Sequence, residues 1–355
     1  QAYQLFIVFL TVIASLMVRA FPMAVSVLTG LIFVVTAEIL PLKSALMGYS
    51  DTTTWLVVVA FMIAGAVIET GLGRRIALLC ILILGRSITG LGYAICLAEF
   101  ILGPVVPSNT ARGGGILAPI VDSISRTLGS SPKHKPEKAG QYLHLVGAHA
   151  NLITAAMFLT GMAANPLISK AAFDIFEIEF DWFTWAKGGI VPGLIGLTGL
   201  PLLINYISTP TIDSIQPIRE KIQEDIQSLG PWTRQEIITA CTLGVMLILW
   251  STKPFHGWGT TTVAFLGLVI ILLTRTLTWD QLVKNHKAWD ALIWLGGLLT
   301  LATGLKDLGF IGWFGNLIEN GLTGISPIML LIALTLIYFY SMYFFSMLTA
   351  HIVAL

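Results

Sequence analysis

The sequence predicts an all-α polytopic membrane protein built from two inverted repeats, with re-entrant hairpins and broken helices inside the membrane. Three observations predict it. The 355 residues are 55% hydrophobic and only 11% charged, with a mean hydropathy of +0.84, whereas a soluble domain carries about 25% charged residues. Apolar segments of spanning length, about 17 to 25 residues, follow one another along most of the chain. Two of them are interrupted by polar stretches rich in glycine and proline, which survive in lipid only when buried in protein or lining a wet cavity.

The same composition excludes other classes. A net charge of +1, with no basic cluster beyond loop scale, leaves no footprint for nucleic acid. Cys80, Cys96 and Cys241 lie far apart inside apolar runs and match neither a disulfide framework nor a zinc signature, so they read as small core residues. The first apolar run passes into a second without a small-residue cleavage site, so no signal peptide is read. Because the chain starts and stops inside apolar sequence, one or both ends are expected to be cut.

Spans are predicted at about 4–20, 22–40 and 53–70. Residues 74–86 hold an apolar core of only about ten residues between arginines, the length of an interfacial piece, and are read as a helix near the membrane surface. Arms at about 88–107 and 113–127 flank the turn Pro104-Val-Val-Pro107-Ser108-Asn109-Thr110-Ala-Arg112-Gly-Gly-Gly115. Each arm is too short or too broken for a clean span, and together they read as a hairpin that enters the membrane and turns back. A basic loop follows at 130–138. The segment 143–175 is long enough to span but carries Thr160-Gly161-Met-Ala-Ala-Asn165-Pro166 in its middle, which makes it a broken helix. A further span covers about 182–206, and the polar stretch 207–235 reads as a cytoplasmic linker between halves. Spans at about 236–250, 257–275 and 289–305, a short run near 307–322 and an apolar arm from about 325 complete the chain.

The second half repeats the first. Trp55 set against Trp294 gives an offset of 239 residues, at which Asp51 meets Asp290, Leu56 meets Leu295, Gly65 meets Gly304 and Gly73 meets Gly312. The same offset carries Thr110-Ala111 onto Thr349-Ala350, with Arg112 opposite His351. About five crossings separate residue 4 from the linker, an odd number, so the second copy is expected to be inverted, as in secondary transporters. The domains are then 1–206, a first repeat with scaffold helices in 1–87 and the hairpin and broken helix in 88–206; the linker 207–235; and 236–355, a second repeat incomplete at its C-terminus. Arg74, Arg75 and Arg86 before the hairpin, with Arg126, Lys133, Lys135 and Lys138 after it, put its open end in the cytoplasm. Residues 174–181 carry only acidic charges and fall on the other side.

Residues 107–115, then Met157-Phe-Leu-Thr-Gly-Met-Ala-Ala-Asn165-Pro166, residues 185–192 and Tyr343-Phe-Phe-Ser-Met-Leu-Thr-Ala-His351 resemble the divalent anion:sodium symporter family. Within it, the resemblance is to the branch of bacterial citrate or tartrate carriers and plastid 2-oxoglutarate/malate translocators. It extends over essentially the whole chain. It implies a secondary carrier of di- or tricarboxylates rather than an enzyme, in a bacterial inner membrane or a plastid inner envelope. It also implies a homodimer in the lipid bilayer, a scaffold domain beside a moving transport domain, and elevator-type alternating access. The partners it implies are small carboxylate anions, and no cofactor beyond Na+ as a coupling ion.

The residue chemistry agrees with that implication. A dicarboxylate brings two charges that need polar partners near the midplane. Hairpin tips supply hydroxyls, amides and free N–H groups at helix N-termini, where the backbone dipole favours anions. Ser108, Asn109 and Thr110 are the candidates for one carboxylate, and Thr349 for the other. Carbonyls at the 160–166 break, with the oxygens of Ser108 and Asn109, are hard ligands of the kind sodium takes. By motif position the family's cation site falls to Ser108, Asn109 and Gly161, with Asn165 adding an amide.

Two departures bear on this. The branch carries a serine two residues before the second threonine, where this chain has Met347, the nearby serine being Ser346. Pro104 stands where sodium-coupled relatives often have a hydroxyl that helps hold the cation.

The plainer readings differ by residue. Arg112 can complement a substrate carboxylate, yet such an arginine more often snorkels or pairs within the protein. Glu99, nine residues before Ser108 in an apolar arm, either neutralises Arg112 or couples protons. His351 reads as a packed or hydrogen-bonded residue more readily than as a proton relay, and the other histidines have no metal-ligand spacing. A membrane enzyme or channel, and the same fold carrying sulfate or a drug-like anion, stay open as alternatives.

Overall fold

The computed structural model describes residues 1–106, 108–212, 215–321, 326–345, 348 and 351–352. Among them the backbone is helical, with a single isolated bridge between Ser131 and His134 and no sheet. In chain order the helices are α1 Ala2–Val18, α2 Met23–Thr36, α3 Leu42–Ala45, α4 Thr52–Glu69, α5 Leu72–Leu84, α6 Ile88–Leu102, α7 Ala118–Thr127, α8 Gly140–Met157 and α9 Ala164–Phe176. They continue as α10 Trp182–Ile207, α11 Gln216–Leu229, α12 Arg234–Ser251, α13 Lys253–His256, α14 Thr260–Leu273, α15 Trp279–Val283, α16 His286–Asp307, α17 Phe310–Gly321 and α18 Pro327–Ser341. Among the described residues, four helical stretches are long and apolar enough to cross a membrane: Thr52–Glu69, Trp182–Ile207, His286–Asp307 and Pro327–Phe344.

Local chemistry sets many of the boundaries. Ser87 caps α6 by accepting from Gly90 N, and Asp181 caps α10 by accepting from Thr184 N at 2.8 Å. Thr233 with Glu236, and Thr278 with Gln281, form reciprocal capping boxes at the starts of α12 and α15. α10 runs for 26 residues through Pro192 and Pro201, a tolerance found in membrane helices, where neighbouring groups take up the freed carbonyls. Around Pro201 the Tyr142 hydroxyl donates to Pro201 O at 3.2 Å and the Tyr93 hydroxyl to Thr198 O at 2.9 Å.

The chain divides into two compact units. One comprises Gln1–Val58 with His286–Leu355. There α16 packs on α1 and α2, and Gly48 N donates to Thr300 Oγ1 at 2.9 Å while the Tyr49 hydroxyl donates to Ile293 O at 3.1 Å. The other unit, Val59–Asn285, packs α5, α6, α8 and α10 together and holds both the polar turn and the helix break.

The sequence offset reappears in the elements. Moved forward by 239 residues, α2, α3, α5 and α6 begin within two residues of the starts of α14, α15, α17 and α18. Helix α6 lands on residues 327–341, the full extent of α18. The longest element not read from the sequence is the 14-residue helix α11, which lies within the polar stretch 207–235. Its Ile218 and Ile222 recur one turn apart and are buried, Pro217 sits in the first turn and Gly230 follows the end, so a short amphipathic helix lies within a composition that looks like a linker.

Candidate functional site

The turn between α6 and α7 begins where α6 stops at Leu102 and continues into a π-helical segment, Thr110–Leu117. Such wide turns are frequent at functional sites. Ser108 and Asn109 start it. Ser108 Oγ accepts from Ala111 N at 3.1 Å, Ser108 O accepts from Arg112 N at 2.9 Å, and Asn109 Oδ1 accepts from Thr110 N at 2.9 Å. These N–H groups, expected from the sequence to be free for an anion, are instead bonded to the two residues that start the helix. The Thr110 hydroxyl and the Asn109 amide nitrogen form no bond among the described residues and remain available.

The break lies opposite. Helix α8 ends at Met157, Phe158 is extended, Leu159–Gly161 make one tight turn and α9 starts at Ala164. The carbonyls freed by the break are taken up by side chains. Asn165 Nδ2 donates to Ala155 O and Phe158 O, both at 2.7 Å, and Trp185 Nε1 donates to Ala156 O at 2.9 Å. Thr160 Oγ1 donates to Pro104 O at 2.5 Å and accepts from Trp182 Nε1 at 2.9 Å, which fastens the break to the turn. A Cβ on Gly161 would lie 2.6 Å from Ala155 O, so only glycine fits there.

Between them stands Arg112, with no exposed surface. Its Nε donates to Glu99 Oε2 at 2.5 Å, its Nη1 to Val106 O at 2.7 Å and Gly161 O at 3.1 Å, and its Nη2 to Thr154 Oγ1 at 3.2 Å and Asn151 O at 3.4 Å. Glu99, also wholly buried, accepts from Thr154 Oγ1 at 3.0 Å and from Asn151 Nδ2 at 2.9 Å. Arg112 thus pairs inside the protein, and Glu99 is its counter-ion. Two carbonyls of the kind a cation would use, Val106 O and Gly161 O, face guanidinium N–H groups.

A cavity of about 410 Å³ adjoins this network. One wall is the π-helical segment with α7; the other is a stripe of α8 that includes His144, Gly147, Ala148 and Asn151. Asn109 and Thr110 line it, whereas Ser108, Arg112, Gly161 and Asn165 do not. Thr349 and Ser346 lie outside the described residues. His351 is buried, with Nε2 2.8 Å from Ser341 Oγ and its ring 4.5 Å from that of Tyr338. Among the described residues no group of His, Cys, Asp and Glu is placed to hold a metal ion. Asn151 and Thr154 were not singled out from the sequence, and Thr160 only as the first residue of the break; the available signal was an amide and a hydroxyl within an otherwise apolar stretch.

Comparison with known proteins gives a consistent picture. The family described as "Sodium:sulfate symporter transmembrane region" matches residues 1–355. A Bacillus subtilis (strain 168) protein named as a candidate malate transporter is 38% identical over 92% of this chain and 68% of its own length. Dicarboxylate transporter 1, chloroplastic, of Arabidopsis thaliana is 36% identical over the whole chain and 64% of its own length. The L-tartrate/succinate antiporter of Escherichia coli (strain K12) is 34% identical over 88% of the chain and 64% of its own length. The chain therefore spans about two thirds of these relatives. With the four spanning-length apolar helices, these likenesses make it an integral membrane protein.

Proposed function

Because the chain belongs to the sodium:sulfate symporter transmembrane family, we propose that it is the greater part of a secondary carrier that exchanges one dicarboxylate for another. Relatives named for malate, for dicarboxylates and for tartrate/succinate support the substrate class. The carrier is not an enzyme. It works as a homodimer of inverted repeats, with the unit carrying the turn and the break moving as an elevator. The element correspondence at 239 residues supports the repeat, and the odd number of crossings read from the sequence supports its inversion.

One carboxylate enters the cavity beside the π-helical segment, where the Thr110 hydroxyl and the Asn109 amide are unspent donors. For the other carboxylate the sequence alone offers Thr349, the residue that the repeat sets against Thr110. The observation that carries exchange over sodium coupling is Arg112. Its N–H groups already join Val106 O in the turn to Gly161 O at the break. Two carbonyls that a coupling cation would use thus already have donors from the protein, which favours the gradient of the counter-substrate as the driving force.

The test is uptake of labelled L-malate by proteoliposomes of the full-length protein. Uptake is expected only with a dicarboxylate inside, unchanged by a sodium gradient and not competed by sulfate. Sodium-driven uptake into vesicles empty of dicarboxylate would overturn exchange, and no uptake under any condition would overturn the carrier reading.

A further inference from the structure

The cavity beside the turn is longer than its inner polar cluster. Along α8 it follows the stripe 143, 144, 147, 148, 151 and 152, one face of the helix over two turns. Asn151 stands at the inner end, with its Nδ2 spent on Glu99 Oε1 and Asn109 O. Seven residues earlier, about 10 Å along the axis at 1.5 Å per residue, the outer end carries His144. Between them Gly147 and Ala148 keep the wall free of bulky side chains.

His144 is the one titratable residue among those lining this cavity, and no acidic side chain lines it. It is exposed and forms no hydrogen bond or ion pair among the described residues. The other histidine of α8 differs: His149 is satisfied by its own helix, with Nδ1 2.8 Å from Leu145 O. An imidazole keeps at least one N–H donor in either charge state, and side chains on a helix lean toward its N-terminus. The His144 ring therefore leans away from Asn151, toward the end of α8 that follows the basic loop 130–138.

We propose that His144 is an outer anion-binding position on the access path, where its N–H holds one carboxylate of an incoming dicarboxylate before that anion reaches Asn109 and Thr110. This rests on the carrier reading above. A contact on the path acts on capture of the substrate more than on the turnover of the loaded carrier, as an exposed charged contact acts on association.

The experiment is malate/malate exchange in proteoliposomes by the full-length protein carrying His144→Ala, His144→Gln, His144→Arg or the control His149→Ala, each checked for an unchanged Tm. With His144→Ala, KM is expected to rise roughly two- to fivefold, the scale of one exposed charged contact, with the maximal rate little altered. Gln, which keeps an N–H donor, is expected to fall between Ala and the natural residue. Arg is expected to match or lower the natural KM, and His149→Ala to leave it unchanged. An unaltered KM in His144→Ala, or an Arg variant as impaired as Ala, overturns the outer position while the carrier reading stands. Absence of exchange by the unsubstituted protein overturns both.

Discussion

Arg112 and Glu99 form an ion pair of 2.5 Å in which neither side chain retains any exposed surface. Thirteen residues separate them in sequence, and around them four pieces of chain meet: α6, the turn, α8 and the break. An isolated charge at such a depth is prohibitive. The pair holds together only as a unit, with Thr154 and Asn151 completing the carboxylate's bonds.

Removing one member is therefore expected to cost more than removing both. Arg112→Met and Glu99→Leu should each destabilise the purified protein by about 3–5 kcal/mol, the cost of stranding a buried charge. Arg112→Met combined with Glu99→Leu should lose less than the sum of the two single changes. Denaturation of the four proteins in one detergent measures this, and additive losses would show that the two charges do not depend on each other.

Thr160 offers a finer probe of the joint between turn and break. Thr160→Val keeps the shape but leaves Pro104 O without its 2.5 Å donor and Trp182 Nε1 without its acceptor. Two buried polar groups then lack partners, each worth about 1–3 kcal/mol. Trp182→Phe should cost less through hydrogen bonding, because Thr160 keeps its bond to Pro104. A cycle of the two substitutions should reveal coupling; none would mean that the Trp182 bond does not support the joint.

At the cavity itself, Thr110→Ala removes an unspent hydroxyl and no bond within the protein. The fold should be unaffected, with a change in stability inside about 0.5 kcal/mol. Dicarboxylate affinity should fall by about tenfold or more, the scale of one hydrogen bond to a charged group at about 1.5–3 kcal/mol. Calorimetric titration of the full-length protein with malate reads both affinity and enthalpy, and unchanged affinity would remove Thr110 from the site.

How much of this was legible in the sequence depended on whether the signal was local. The turn at Ser108 to Thr110 and the break around Gly161 announced themselves because glycine, proline and amides interrupt apolar runs, and both interruptions stand in the structure. What those residues bond to was not legible. Ser108 and Asn109 cap their own helix, and Arg112 reaches Gly161, 49 residues away. The Arg112 partner is chosen by packing among helices, which no spacing encodes. Helix α11 was hidden for the opposite reason. Ile218 and Ile222 carry a local helical period, but the charged residues around them dominate any average over the stretch.

That helix depends on a second buried pair, at Arg75. Its Nε donates to Glu236 Oε1 at 2.7 Å, its other nitrogens donate to Leu229 O, Gly230 O and Pro231 O, and its guanidinium lies 5.1 Å from the Trp232 ring. These groups fix the segment joining α11 to α12, while Ile218 and Ile222 seat α11 within the same unit. Arg75→Ala should strand the Glu236 carboxylate and leave three carbonyls short of donors, loosening α11. Arg75→Lys should rescue little, because an ammonium cannot reproduce the planar fork that reaches four oxygens. Limited trypsin digestion reports on this directly, since Arg219 and Lys221 lie on α11. Cleavage there should be faster in both variants than in the natural protein. A natural rate in Arg75→Ala would mean that the isoleucine contacts alone hold the helix down.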